Sequence, residues 1–294
     1  MSDTMADVTA IIFAFIAYIG WGVGDMFGVV AARKHDPTAV TFWSLCVRAL
    51  LYTAAAPFFI APMLHAPLYA IAIALCTGIA SGIGYYFFIQ AAVRINPTLV
   101  VAIAGAWSAL AVVLSIIFLH EQITPIQTGA ILVIFCGLLL LTLRQNIVPG
   151  SGRTQVIGYL YAVLAMIAWS ICGSFIKIPI VIMGWFWPTY FLSLPVAVII
   201  FILRPRVIVK NPVRSNAVLI PIAIAIASTI IAEISYNIGI GIGAVAVIAP
   251  IAGSYATFSA LLSVVLFREP LSMRQRLGVV CTLIGIVVLA FVSI

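Results

Sequence analysis

Of 294 residues, 65% are hydrophobic and 7% are charged, and 14 Lys+Arg against 7 Asp+Glu leave a formal charge of +7. With a mean hydropathy of +1.30, the chain falls far below the roughly 25% charge that keeps a soluble domain wet, which excludes a soluble enzyme or nucleic-acid-binding protein. The length is instead consumed by nine or ten helical spans of about 20 residues, each long enough to cross a hydrocarbon core of roughly 30 Å, with no residues left for a soluble domain.

The N-terminal MSDTMADVTA is acidic and lacks the cationic stretch of a signal peptide, so the first apolar run is expected to persist as a helix. Punctuation by Pro, Gly and charge, at RKHDP (33–37), HAP (65–67), RINP (94–97), HEQITP (120–125) and RPRVIVKNPVR (204–214), predicts ten spans. These are 8–32, 38–61, 67–92, 98–119, 124–143, 155–181, 185–203, 217–238, 245–267 and 274–293. Barrel strands alternate apolar and polar residues, whereas these runs are apolar all round. The expected fold class is an all-α integral membrane protein.

Loops after spans 1, 3, 5, 7 and 9 hold 12 of the 14 basic residues: Arg33, Lys34, Arg94, Arg144, Arg153, Arg204, Arg206, Lys210, Arg214, Arg268, Arg274 and Arg276. Arg48 and Lys177 fall inside spans. The positive-inside rule then places the odd loops in the cytoplasm and both termini outside. Cys46, Cys76, Cys136, Cys172 and Cys281 lie singly in apolar runs, with no metal-like spacing and an odd count that argues against a disulfide framework, and read as small thiols packed between helices.

A shift of 148 residues brings the two halves into register. AGAWSALAVVLSIIFLHE (104–121) falls on AGSYATFSALLSVVLFRE (252–269), with identities at Ala104/Ala252, Gly105/Gly253, Leu114/Leu262, Ser115/Ser263 and Glu121/Glu269, and Trp21 falls on Trp169. One further residue of offset pairs Gly129 with Gly278. The repeats are 1–148 and 149–294. Five spans per half, an odd number, turn the second copy upside down. The charges agree: loop 1–2 has Arg33 and Lys34 while its equivalent, loop 6–7, has none, and loop 2–3 has none while loop 7–8 has four. Inverted repeats are a transporter hallmark, with the substrate held near the midplane between halves.

Two five-span repeats, a Trp-Gly (Trp21-Gly22) or Trp-Ser (Trp169-Ser170) in the first span of each half, and a Glu closing each fourth span (Glu121, Glu269) resemble the drug/metabolite transporter superfamily, EamA type, over nearly the whole chain. Trp21, Tyr85 or Tyr86, Trp107, Trp169 and Ser254 stand where bacterial aromatic amino acid exporters of that superfamily carry substrate-cavity residues. Some of those exporters have His in the third-span pair where this sequence has Tyr-Tyr. The resemblance implies a multi-pass protein of the bacterial inner membrane that acts as a monomer, since one chain holds both halves of the cavity.

The residues themselves point the same way. Trp43, Trp185 and Trp187 fit the interfacial pattern at the ends of spans 2 and 7. Trp21, Trp107 and Trp169 fall near mid-span, as does Tyr255, the repeat mate of Trp107; four aromatics at related midplane positions predict the lining of a central cavity. Charges inside spans are costly and by default functional candidates. Asp25 shares a helical face with Trp21 and can accept a proton, bind a substrate ammonium or pair with Arg48. Glu233, the mate of Tyr85, lies one turn before Tyr236 and Asn237; those three can contact substrate, or Lys177 can neutralise Glu233 at the outer mouth. Lys177 can also snorkel, and Glu121 and Glu269 read as caps or loop-packing groups. Gly82, Gly84, Pro179, Pro188, Pro195 and Pro250 are candidate bending points.

An aromatic-walled cavity with few fixed charges suits an amino acid with an apolar side chain, with Ser254, Tyr85, Tyr86 and Asn237 as polar handles. The expected function is export of amino acids and related amphiphilic metabolites by alternating access. The competing reading is a proton-coupled exporter of lipophilic cations, attracted by cation–π contact and exchanged at Asp25 or Glu233. A membrane enzyme is disfavoured because His35, His65 and His120 lie scattered in loops. No cofactor or metal motif is present: GIGIGAV (239–245) lacks the βαβ unit that a dinucleotide loop requires. The expected partners are a small-molecule substrate and lipid, with no nucleic acid.

Overall fold

A computed structural model describes residues 3–142, 152–203, 215–268 and 270–294. Glu269, Arg144, Arg204, Arg206, Lys210 and Arg214 lie outside the described residues. Among those described, eight helices are long and apolar enough to cross a membrane, and two shorter apolar helices, Pro125–Leu141 and Phe186–Ile202, complete the predicted ten.

The first half runs through α1 (Asp3–Lys34), α2 (Pro37–Ala55), α3 (Leu68–Ala92), α4 (Pro97–Gly105), α5 (Trp107–Phe118) and α6 (Pro125–Thr142). The second runs through α7 (Gly152–Phe175), α8 (Lys177–Met183), α9 (Phe186–Tyr190), α10 (Leu194–Leu203), α11 (Asn216–Ile242), α12 (Val245–Gly253), α13 (Tyr255–Phe267) and α14 (Met273–Phe291). Local chemistry sets several starts. Asp36 accepts from the amides of Thr38 and Ala39, both at 2.9 Å, with Pro37 at the first helical position of α2. Ser215 caps α11, and Ser272 with Gln275 forms a reciprocal capping box on α14.

Helix pairing carries the duplication into three dimensions. α1 packs on α11 and α3 on α7; because α1 and α7 are repeat mates, as are α3 and α11, each contact is the image of the other. α5 packs on α12 and α4 on α13, again images, while α6 pairs with its own mate α14 and α2 with its mate α10. A pseudo-twofold relation produces this pattern, and the odd span count lays its axis in the membrane plane. Glycines permit the closest approach. A Cβ on Gly137 would lie 2.6 Å from the Thr282 amide nitrogen and one on its mate Gly285 2.9 Å from that of Ile134, so a methyl at either would push α6 and α14 apart.

Several predicted spans are broken. Span 4 divides at Ala106 (ψ −2) and span 9 at its mate Ser254 (ψ 6), well away from the helical ψ of about −42°. Around both breaks hydrogen bonds run three residues back: Ala106 N to Ile103 O at 3.2 Å and Thr257 N to Ser254 O at 2.9 Å. Gly105 and Gly253, just before the breaks, sit where the spans cross; a Cβ on Gly253 would lie 2.3 Å from that of Ser108. Span 6 divides at Ile176, and span 7 into α9 and α10. Gly82 and Gly84 lie in unbroken α3 instead of at a bend. They are points of contact: their added Cβ atoms would meet Val196 at 2.3 Å and Trp169 at 2.6 Å.

The thiols are also placed differently from expectation, since Cys172 is buried but Cys76 and Cys136 are exposed on outward helix faces. Trp43 is exposed, as an interfacial residue would be, whereas Trp187 is buried, its indole N–H donating to the Phe59 carbonyl at 2.7 Å.

A central aromatic and charged cavity

The breaks at Ala106 and Ser254 set the direction of two aromatic side chains. Trp107 and Tyr255 open α5 and α13 and turn into a cavity between the halves. From α1, Trp21 meets them, with ring centroids 5.7 Å from Trp107 at 87° and 6.1 Å from Tyr255, and 5.1 Å from Tyr236 of α11. Trp107 and Tyr236 are 5.7 Å apart at 80°. Edge-to-face packing of this kind is worth about 0.5–1.5 kcal/mol per pair beyond burial and holds the rings as a cage. Gly173 makes room, since a Cβ there would sit 2.3 Å from the Trp107 ring, and its carbonyl accepts from the Tyr236 hydroxyl at 2.9 Å. Trp169 lines the opposite wall, its N–H donating to the Ser81 carbonyl at 3.1 Å. The cavity holds about 80 Å³, room for roughly half a dozen waters at ~10–15 Å³ each.

One end is charged. Arg48 of α2 bonds Glu233 of α11, and both side chains are buried. Asp25 of α1 lines the same space, is 5% exposed and pairs with no cation among the described residues. Four polar atoms on these lining residues are buried without a hydrogen-bond partner: Asp25 Oδ2, Arg48 Nε, Glu233 Oε2 and the Tyr255 hydroxyl. The Ser44 and Tyr52 hydroxyls, one turn either side of Arg48 on the same face of α2, are also unpartnered. Buried polar groups elsewhere in proteins are more than about 90% satisfied, so this concentration marks a place built for something else.

The structure brings together Trp21, Tyr85, Trp107, Trp169, Asn237, Tyr255, Asp25, Arg48 and Glu233 around the cavity. Three predicted residues fall elsewhere: Tyr86, Ser254 and Lys177. Tyr86 packs beside Phe42, Leu45 and Val196, because neighbours on a helix point about 100° apart and Tyr85 takes the inward face. Ser254 is spent on the helix break, donating to the Pro250 carbonyl. The charge pairing also differs from expectation: Glu233 belongs to Arg48, so Asp25 does not, and Lys177 binds Glu121. Asn237 donates to Thr189 at 2.7 Å. Tyr236, the third candidate contact beside Glu233 and Asn237, also lines the cavity, and Leu45, Leu192 and Thr229 are among the further lining residues outside the predicted set; the two leucines carry no sequence signal that separates a cavity wall from a lipid-facing residue.

At the even-loop end, Lys177 donates to Glu121 at 2.6 Å and to the Gly243 carbonyl at 3.0 Å. Glu121 also accepts from the amides of Val245 at 3.0 Å and Ala246 at 2.8 Å, so it caps α12 of the other half. Partial burial pushes the Glu121 carboxyl up, but Lys177 and the two amides outweigh it and hold the group below its ordinary value. At the odd-loop end a wider cavity of about 720 Å³ is lined by Arg33, Asp36, Arg94 and Tyr159 among others.

Membrane-length helices, duplicated, turned over and closed around an aromatic-walled cavity with a charged end at the interface of the halves, define a small-molecule transporter. Residues 8–143 and 156–291 match the EamA-like transporter family, and the chain belongs to it. It is therefore a multi-pass membrane protein that carries small molecules. A solved crystal structure, 19% identical over 97% of each chain, superposes with a TM-score of 0.75, a likeness that establishes the fold alone. No curated protein matches the sequence.

Proposed function

We propose that the protein exports amino acids, aromatic and larger apolar ones foremost, across a bacterial inner membrane by alternating access. The observation that carries this reading is the cage of Trp21, Trp107, Tyr236 and Tyr255 set against a charged end. An apolar side chain is received by the rings, and the backbone of the amino acid faces polar groups. The odd-loop vestibule is the cytoplasmic entry and the Glu121–Lys177 clasp closes the outer side. The paired breaks at Ala106 and Ser254 are the hinges about which the halves rock. Loading demands that the lining side chains move outward, given how little space the cavity holds. Selection among side chains is tolerant, because one methylene is worth only about 1–3 kcal/mol.

The test is efflux from proteoliposomes preloaded with labelled phenylalanine, tryptophan or threonine. Release that Trp107→Ala lowers at least tenfold supports the reading. If no amino acid leaves while ethidium moves under a pH gradient, the protein is a cation exporter instead, a reading that two carboxylates facing one guanidinium would then explain.

A further inference from the structure

The charged end of the cavity holds one cation and two anions, and they are not used evenly. Arg48 and Glu233 are taken up with each other. Asp25 has no counter-charge among the described residues, although it is only 5% exposed and one of its oxygens makes no hydrogen bond. An uncompensated carboxylate in a low-dielectric site is costly unless something neutralises it. The Tyr255 hydroxyl, likewise unpartnered, opens α13 beside it. Asp25 stands one turn after Trp21 on α1, so a cation held there lies at the edge of the aromatic cage. The neighbouring charges are Arg48 and Glu233, and Tyr85, Tyr236 and Cys172 are the further titratable groups in the lining.

We propose that Asp25, with the Tyr255 hydroxyl and the Trp21 ring, is an ammonium-binding subsite. The substrate class is organic primary ammonium compounds with an apolar body, whether or not they carry a carboxylate. The proposal rests on the cavity being the substrate site. It goes beyond amino acid export in one respect: the ammonium is required and the carboxylate is dispensable. Among the described residues Arg48 is the only guanidinium in the lining, and its charge is already matched by Glu233, so no free cation awaits a carboxylate. A zwitterion leaves the site with one excess negative charge, whereas an amine leaves it neutral.

The test is isothermal titration calorimetry on the purified full-length protein with three ligands that share a phenylethyl body and differ in their charged groups: phenylalanine, phenethylamine and 3-phenylpropionate. Phenethylamine is expected to bind at least as tightly as phenylalanine, and 3-phenylpropionate at least tenfold more weakly. Asp25→Asn should weaken phenethylamine at least tenfold and, by removing the excess negative charge, leave 3-phenylpropionate bound no more weakly than before; the ligand series on the unaltered protein stands whether or not that variant folds. Phenylpropionate binding as well as phenylalanine, or phenylalanine binding while phenethylamine does not, overturns the ammonium subsite and leaves amino acid transport standing. Failure of all three to bind overturns the assignment of the cavity as substrate site, and the subsite with it.

Discussion

The molecule contains two ion pairs of the same chemistry and opposite design among its described residues. Glu121 and Lys177 meet at the even-loop end with every contact answered. The carboxylate takes a lysine and two backbone amides, the lysine takes a carboxylate and a carbonyl, and the lysine keeps 23% of its side-chain surface exposed. Arg48 and Glu233 meet in the cavity with side chains 4% and 9% exposed, leaving a guanidinium nitrogen and a carboxylate oxygen without partners. A saturated pair fastens two segments together, here the end of span 4 to the start of α12 and the start of α8. An unsaturated pair in a cavity is an unfinished network, which costs stability and is completed by a ligand.

The sharpest way to break this contrast is to remove one acid from each pair. Glu233→Ala leaves Arg48 buried without its bonded carboxylate and is expected to cost about 3–5 kcal/mol, read as a large fall in melting temperature of the detergent-solubilised protein. Replacing both partners, Arg48→Leu with Glu233→Leu, removes the desolvation cost along with the attraction. The double variant should melt close to the unaltered protein while losing transport. If it melts as low as the single variant, the pair is a structural fastener like the other, and the contrast is wrong.

The clasp should respond more mildly. Glu121→Gln keeps an oxygen for one amide and loses the charge that faces Lys177 and the positive end of α12, an expected cost of about 1–2 kcal/mol. Its pH dependence has a definite sign. The folded carboxyl sits below its ordinary value of 4.5, so the stabilisation it gives is complete above that value and is lost as pH falls through the lower, folded one. Melting curves between neutral and acid pH should converge for the unaltered protein and Glu121→Gln only at the acid end. A constant gap at all pH values would mean that the charge contributes nothing.

How much of the fold and site is legible along the chain depends on the range of each interaction. The ten spans, the repeat, the inward Trp21, Trp107 and Trp169 and the capping character of Glu121 come from local composition and from one shift of register. The partners of the charges do not, since Arg48 and Glu233 are 185 residues apart and nothing along the chain distinguishes Arg48 from Lys177 as the cation for Glu233. The breaks at Ala106 and Ser254 are also hidden, because neither is Gly or Pro. Each break lies beside the crossing of the two spans at Gly105 and Gly253, a tertiary contact that the sequence does not announce. Tyr85 and Tyr86 look equivalent in sequence because composition does not set helix rotation; the packing of α3 on α2 and α10 decides which one faces the cavity.

The smallest predicted effect separates the cage from its charged end. Gly173 is two residues before the end of α7, where helix carbonyls run out of helical donors, and the Tyr236 hydroxyl supplies one at 2.9 Å. Tyr236→Phe deletes that bond and leaves the carbonyl bare, at an expected cost of about 1 kcal/mol in thermal unfolding. The ring stays, 5.1 Å from Trp21 and 5.7 Å from Trp107, so the surface that receives an apolar side chain is preserved. Affinity for phenylalanine should therefore stay within about threefold while stability falls, the reverse of what Asp25→Asn should do to phenethylamine. A tenfold loss of phenylalanine affinity in Tyr236→Phe would place the hydroxyl on the ligand instead of on α7. The polar face of the site would then extend into the cage.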